Sequence, residues 1–365
     1  MKLSLKSLFL IVFFTGIFLT ICTSCAEKEK TKDIKNIILM IGDGMGVSQI
    51  YAGMTANHGD LNIAGISHIG FHKTNSYDNY TTDSAAGGTA ISSGLKTRNG
   101  MIGMGPDSLE LKSILEIAEE YGLSTGLVST SSITHATPAS FIAHQVNREM
   151  YEEIAGDFID TKVEVIIGGG RKHFIDREDG RNLLNEFQNE GYHVFTGLTE
   201  AMECESPKMI VLTAEVHNPP YAGGRGDMLP KATSKAIQIL KKSPEGFFLM
   251  VEGSQIDWGG HNNDIDYITN EVIDFDNAVK KAIDFAAADE ETLIIVTADH
   301  ECGGLGLNNG DFETGNIDAG FTTVGHTGVM VPVFAYGPGS EKFIGIYDNT
   351  DLFKKLMSAY GFNNE

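Results

Sequence analysis

Short apolar runs alternate with amphipathic stretches from about Ile34 to the end of the chain. Seven runs have the length of strands and carry apolar residues on both faces: Ile37 to Ile41, Thr125 to Ser129, Val163 to Ile167, Met209 to Thr213, Phe247 to Val251, Leu293 to Thr297 and Val331 to Tyr336. Between them the apolar positions step by three and four. Ile268, Val272, Phe275, Val279 and Ala282 form one such stripe, and Leu111, Ile114, Leu115 and Ala118 form another that stops at Gly122. These periods predict helices with one buried side. Two-sided strands alternating with helices imply an α/β fold, a largely parallel central sheet flanked by helices on both faces. No internal repeat, low-complexity linker or composition break divides residues 34–365, which read as a single domain.

Residues 1–24, MKLSLKSLFLIVFFTGIFLTICTS, follow a different pattern: two lysines, an apolar run, then small residues before Cys25. This is the layout of an export signal. The tract Leu8 to Ile21 is shorter than the about 20 residues a bilayer span needs. Ser24-Cys25 resembles the end of a bacterial lipoprotein signal, although Cys22 stands where such signals usually carry an aliphatic residue. Lipidation at Cys25 is the expectation, with simple cleavage as the alternative, and residues 25–33 read as a short charged tether. The protein is then exported, either periplasmic or anchored to a membrane by its N-terminal lipid.

Removing the two lysines of the signal moves the formal net charge from -22 to -24. So acidic a chain does not bind nucleic acid through its general surface, and a site for an anionic substrate must concentrate its own positive charge. Only Cys204 and Cys302 remain beyond the signal region, which permits one disulfide but no cysteine scaffold.

Three predicted strands run into acids: Ile37 to Ile41 into Gly42-Asp43-Gly44, Phe247 to Val251 into Glu252-Gly253, and Leu293 to Thr297 into Ala298-Asp299-His300. Ligands of open α/β sheets gather beyond the carboxyl ends of the strands. Like charges brought together there are costly unless cations neutralise them. Asp257 and His261 are four apart, Asp299 and His300 are adjacent, and His326 stands in GHTG. Carboxylate oxygen with imidazole nitrogen is a plausible zinc set, and two zinc ions about 4 Å apart would clamp both oxygens of a phosphoryl displacement. Singly, each pair is weak; together, at strand ends, they point to a metal centre. The same ions would activate Ser84 in TDSAAGGT, a serine with no histidine or lysine beside it, which otherwise reads as a helix cap.

The segments NIILMIGDGMG, TTDSAAGGTAISSGLKT, THATPASFIAH, VNRE, VEVIIGGGRKHF, LPKATSKAIQIL, MVEGSQIDWGGH, IIVTADHECGG and GHTG occur in this order over nearly the whole mature chain, and together they resemble the zinc-dependent alkaline phosphatases. The resemblance implies hydrolysis of phosphate monoesters through a phosphoserine on Ser84. It makes Arg148 the guanidinium fork on two phosphate oxygens, a geometry lysine cannot copy. Asp257, His261 and His326 look like the ligands of the zinc that stabilises the leaving oxygen and then activates water. Asp43, Asp299 and His300 look like those of the zinc that holds Ser84. Asp43 would bridge to a third ion, usually magnesium, shared with Thr137 and Glu252. The small residues after Ser84 would let a helix start close to the phosphate.

Two positions depart from the pattern of some relatives. His135 stands where those relatives have an aspartate, and Trp258, the only tryptophan, where they have a lysine. Other members share both, so activity is not in question. An imidazole near the third site favours zinc or cobalt more than a carboxylate would, and Trp258 removes a charge that would help hold phosphate. Both residues count as substrate-side positions together with Arg148. His58, His68, His72, His144, His173, His193 and His217 match no ligand position and read as surface or structural side chains. Gly168-Gly169-Gly170 lacks the spacing of a nucleotide loop and reads as a turn.

Phosphodiesterase and sulfatase are the rivals within this metal architecture, and a phosphate-binding surface protein without catalysis is the rival outside it. Arg148 favours a dianionic monoester, and the Cys-x-Pro-x-Arg type of motif of sulfatases is absent. Relatives tend to form homodimers with inserted crown segments at the interface. Only 25 residues separate His300 from His326, so a homodimer with reduced crown inserts is expected, with a monomer as the alternative.

Overall fold

The computed structural model describes residues 33–362. The export signal, Cys25 and the tether up to residue 32 lie outside the described residues. Strand β1 (Asn36–Gly42) shows why the apolar runs become strands. Its Ile37, Leu39 and Ile41 enter one core and its Ile38 and Met40 the other, so consecutive residues point to opposite, equally dry faces. The remaining strands are β2 (His68–Lys73), β3 (Ser124–Ser132), β4 (Val165–Gly169), β5 (His193–Phe195), β6 (Met209–Leu212), β7 (Phe247–Gly253), β8 (Thr292–Thr297), β9 (Glu301–Cys302), β10 (Leu305–Asp311), β11 (Asn316–Phe321), β12 (His326–Thr327), β13 (Val331–Tyr336) and β14 (Gly345–Asp348).

Ten of them form one sheet in the order β14-β2-β13-β8-β1-β7-β3-β4-β6-β5. Every neighbouring pair is parallel except those of β13, which runs antiparallel to both β8 and β2. No helix lies between β8 and β13, and without a crossover helix the chain returns antiparallel. The largely parallel sheet is therefore as expected, with one reversed strand that the apolar pattern does not reveal. The strand read at Val163 to Ile167 begins two residues later, and β6 stops at Leu212, one residue short. Strands β2, β5 and β14 were not foreseen; their residues are only partly buried, so they carry little apolar signal.

The stripe from Ile268 to Ala282 lies on a helix, Ile265–Asp289, with all five of its apolar positions buried. Asp264 caps its first turn by accepting the Tyr267 N–H at 3.0 Å. The other predicted helix runs Ile114–Glu120 and leaves Leu111 outside, because Ser113 starts it with a capping box closed by Glu116. Cys204 and Cys302 are both free, so the disulfide that the sequence allowed does not form. The segment between His300 and His326 contains one hairpin, β10 with β11, and no large insertion.

One feature of the packing bears on the site. The 25-residue helix lies against the short helix Gln255–His261 and is held to the loop after residue 220 by Arg225, whose guanidinium meets Glu271 and, at 2.8 Å, Asp274. All three side chains are at most 2% exposed. Replacing Arg225 with Ala would strand two buried carboxylates. We expect the unfolding free energy measured in denaturant to fall by about 3–5 kcal/mol.

Candidate active site

Strands β8, β1, β7 and β3 are consecutive in the sheet and parallel, and their register sets Ile41 opposite both Glu252 and Thr297. The residues that follow, Asp43 and Asp299, thus emerge beside Glu252 at one edge. Each is fully buried. Ser84 begins the helix Ser84–Ser93, all of it buried, after Asp83 caps the turn by accepting the Ala86 N–H at 2.9 Å. The glycines of TDSAAGGT permit the close approach: a Cβ on Gly87 would stand 3.2 Å from the Asp299 Cβ, and one on Gly88 2.8 Å from the Ser140 hydroxyl.

The side chains singled out in the sequence converge here. Ser84 Oγ lies 3.2 Å from His300 Nε2 and 3.4 Å from Asp43 Oδ2. His300 Nε2 is 3.4 Å from Asp43 and 3.2 Å from Asp299. On the other side, Asp257 receives His261 Nε2 and His326 Nε2, each at 3.3 Å. The outer ring nitrogens of this pair face backbone carbonyls, His261 Nδ1 at Val324 (2.6 Å) and His326 Nδ1 at Thr82 (2.9 Å). A donated Nδ1–H at each carbonyl turns Nε2 inward, the arrangement of metal-binding histidines. Thr137 Oγ1 is 3.5 Å from Asp43 Oδ2. Arg148 reaches Asp83 Oδ2 at 3.1 Å and His135 Nε2 at 3.3 Å, so its guanidinium is held next to the residue that precedes Ser84.

Three groups of side chains place their donor atoms within 4.8 Å of one another: Asp257, His261, Cys302 and His326; Asp43, Asp299 and His300; and Asp43, His135 and Glu252. The electrostatics show what is missing among them. Burial and the neighbouring Asp299 and Asp257 push Asp43 well above the usual carboxylate range, burial lifts Glu252, and burial with Asp257 raises Asp299 to about 7. Asp257 differs: burial is outweighed by the bonds from His261 and His326, which hold it low, while His261 rises to about 9 on its bond to Asp257. Burial and Arg148 depress His135 to about 3, and burial depresses His300. Glu252 Oε1, His135 Nδ1 and His300 Nδ1 are buried without a hydrogen-bond partner, and the buried Asp43 Oδ1, Asp299 Oδ2 and Asp257 Oδ1 meet a histidine Nε2 at 3.2–3.4 Å. Buried polar atoms are ordinarily paired. Divalent cations fit the donor set and would supply the missing partners.

The alkaline phosphatase family model matches residues 34–314 and 308–362. The chain belongs to the alkaline phosphatase family. Alkaline phosphatase 3 of Bacillus subtilis (strain 168) is 36% identical, over 93% of this chain and 92% of its own. Among solved structures, the alkaline phosphatase of the Antarctic bacterium TAB5 superposes with a TM-score of 0.87 at 44% identity, covering 91% of this chain and all of that one. A variant of the same enzyme, with a histidine replaced by aspartate and Mg bound in its M3 site, matches at a TM-score of 0.86 and 42% identity, covering 92% of this chain and 100% of its own. Phosphate-monoester hydrolysis through a phosphoserine is the reaction of this family.

Several residues of the site escaped the sequence reading. Ser129 and Ser254 each donate to Glu252 Oε2 at 2.6 Å, with Ser131 at 3.5 Å, and together they aim that carboxylate. The hydroxyl run at the end of β3, Ser129 to Ser132, was the available signal. His217, read as structural, is structural at the site itself: its ring lies 4.9 Å from Trp258 and 5.7 Å from His135, edge-on to both. Its Nδ1 accepts the Ser132 N–H at 3.0 Å. The other unassigned histidines keep local roles, such as His72 between two carbonyls and His144 between Gly103 and Glu116.

Between pH 3.8 and about 7 folded Asp299 keeps a proton that the unfolded chain has lost, so in metal-free protein unfolding grows more favourable as pH rises through that window. Asp299→Asn removes this loss. After chelation, the melting temperature of the variant should exceed that of the unchanged chain by a few degrees at pH 8, with the gap closing towards pH 4.

Proposed function

We propose that Ser84 is the nucleophile and Arg148 the phosphate fork of this family member, with zinc ions at Asp257, His261 and His326 and at Asp43, Asp299 and His300. Asp43, Thr137 and Glu252 would hold a third ion, magnesium or, because His135 adjoins it, zinc or cobalt. The observation that carries the reading is Ser84 Oγ within 3.4 Å of both Asp43 and His300 at the start of a buried helix. Bound zinc would supply Lewis acidity, lowering the pKa of the serine and of water and offsetting charge on the leaving oxygen.

The chain's own groups do the rest. The positive end of the helix Ser84–Ser93 faces the incoming phosphate. Asp83 fixes Arg148 on the same side, leaving guanidinium N–H groups to pair with two phosphate oxygens. Ser84 Oγ loses its proton to solvent and bonds phosphorus as the ester P–O bond breaks, and the leaving oxygen takes up a proton and departs as the alcohol; water then attacks the phosphoserine, the Ser84 Oγ–P bond breaks, Ser84 regains a proton, and inorganic phosphate leaves. Substrates are phosphate monoesters drawn from a mixed pool, consistent with an exported scavenging enzyme, and two copies of the catalytic domain, residues 34–365, form a homodimer. Residues 1–24 support export, with Cys25 as the lipid anchor.

The zinc- and magnesium-loaded protein should hydrolyse p-nitrophenyl phosphate far faster than the bis-aryl diester or the aryl sulfate, and a chelator should abolish it. Ser84→Ala should lower kcat by roughly 10³-fold or more. A leading diester or sulfate would keep the metal centre and reject Arg148 as a monoester fork. Binding of phosphate with no turnover would favour a non-catalytic phosphate-binding protein.

Trp258 is half-buried and lies edge-on to His135 and His217, so an uncharged plane stands where a cation would strengthen the hold on phosphate. Weakly held product leaves fast, and release then limits turnover less. With Trp258→Lys the inhibition constant of inorganic phosphate should fall about tenfold, the equivalent of one additional charge-assisted hydrogen bond. An unchanged constant would reduce Trp258 to packing.

A further inference from the structure

Strands β14 and β2 close one end of the sheet, and one face of that corner is apolar and open. Ile346 pairs with Phe71 in the parallel register, and Ile69 pairs with Phe334 of β13. Side chains alternate along a strand, so Ile344 and Ile346 share a face with Phe71 and Ile69. Phe343 and Tyr347 take the opposite face and join the core there. Ile344 is 53% exposed, Ile346 67% and Ile69 42%, so nothing among the described residues covers them. One exposed isoleucine needs no explanation, but three on a single sheet face mark a contact surface. The patch also lacks charge. No Asp, Glu, Lys or Arg occurs from Leu61 to His72 or from Phe343 to Tyr347, in a chain that carries 49 acidic residues.

The amino-terminal end of the domain lies at the same corner. Ile34 abuts the loop that leads into β14, with its Cδ1 3.0 Å from where a Cβ on Gly339 would stand. Strands β2 and β14 run in the same direction as β1, so their first residues share the edge at which β1 begins. Asp43, Glu252 and Asp299 stand at the opposite edge, beyond the seven residues of β1, a distance of about 20 Å. Residues 26–32, AEKEKTK, separate Cys25 from Asp33 and span at most about 30 Å. They contain no large apolar side chain that could fill the patch, and their three lysines against two acids suit an anionic surface.

We propose that the face formed by Ile69, Phe71, Ile344 and Ile346 docks on the lipid bilayer to which Cys25 is anchored. The docking rests on the reading of Cys25 as the lipid anchor. The isoleucines enter the boundary between headgroups and acyl chains, where interfacial apolar faces sit at a depth of about 5–10 Å. An anchor on a charged tether limits the distance of the domain from the membrane and leaves its orientation free. A second contact at this corner fixes the orientation. With the corner down, the edge that carries Ser84 and the metal-binding side chains points away from the lipid, towards soluble phosphate esters.

The test places an environment-sensitive fluorophore on the full lipidated chain, reconstituted in vesicles of phosphatidylethanolamine and phosphatidylglycerol. Ile346→Cys carries the label in a Cys204→Ser background, since Cys302 is buried and lipid blocks Cys25. Ile344→Cys is the second position should the first disturb folding, and Tyr80→Cys, 79% exposed and two residues before Thr82, is the reference at the opposite edge. With vesicles, the label at 346 or 344 should shift to the blue, brighten severalfold and be quenched by spin-labelled lipid, while the label at 80 should stay as in water. Labels at 344 and 346 that remain in water on anchored protein would overturn the docking and leave the anchor standing. Incorporation of radiolabelled palmitate, lost in Cys25→Ser, reads the anchor separately, and its absence from the unchanged chain would overturn anchor and docking together. A blue shift without vesicles would reject the bilayer as occupant. If that shift grows with protein concentration the patch belongs to a second copy of the chain, and if it does not, to the tether.

Discussion

Four carboxylates, Asp43, Glu252, Asp257 and Asp299, are buried within one small volume, each at most 4% exposed. Such a cluster is expensive, since a charge removed from water must be paired, protonated or coordinated. The parallel sheet creates this situation. Strands β8, β1 and β7 are adjacent and in register, so acids at their ends cannot avoid one another. An antiparallel arrangement of the same strands would have dispersed them over opposite edges. The sheet's direction and the need for cations are therefore one constraint, and the apolar residues that bury β1 on both faces are what enforce it.

Around this concentration of charge the fold places groups that orient without neutralising. Ser129, Ser131 and Ser254 fix Glu252, the carbonyls of Val324 and Thr82 turn His261 and His326, and the Gly44 and His300 N–H groups meet Asp299 Oδ1 at 3.3 and 3.0 Å. These bonds set geometry in advance, so that little reorganisation remains for the reaction. Arg148 is the exception, a full positive charge, and Asp83 keeps it beside Ser84 rather than among the four acids. The guanidinium thus stands apart from the four buried acids.

Most of this was legible in the sequence. A run such as Asn36-Ile37-Ile38-Leu39-Met40-Ile41-Gly42 can only be a two-sided strand, and once strands are parallel the acids that follow them share an edge. The motif Asp83-Ser84 followed by small residues and the spacing of Asp257 with His261 located the site from one dimension. What escaped had no periodic or charged signature. The edge strands β5 and β14 are short and partly exposed, and β2, beside β14, is only partly buried, so propensity and burial say little about them. The reversal of β13 depends on the connection that precedes it, not on Val331 to Tyr336. Cys302 and His217 reach the site through β9–β12 pairing and through packing on Trp258, contacts between residues 24 and 41 positions apart that no local pattern encodes.

The two candidate zinc positions are not equivalent, and the difference follows from burial. Asp257 shares its charge with two imidazoles whose pKa values are raised, so protons can stand in for a cation there and keep the trio assembled. Asp43 and Asp299 lie beside His300, whose pKa burial depresses, and their own pKa values are raised chiefly by burial and by neighbouring carboxylates, so they take up protons where no cation is bound. Exposure runs in the same direction: the His261 side chain is 42% exposed, and those of Asp43, Asp299 and His300 are closed to solvent. The enclosed set faces Ser84 at the start of its helix, while the open set, through His261, reaches solvent. On the reading proposed above, an enclosed position beside the serine and a solvent-reaching one opposite it form the asymmetry that two successive displacements at one phosphorus require.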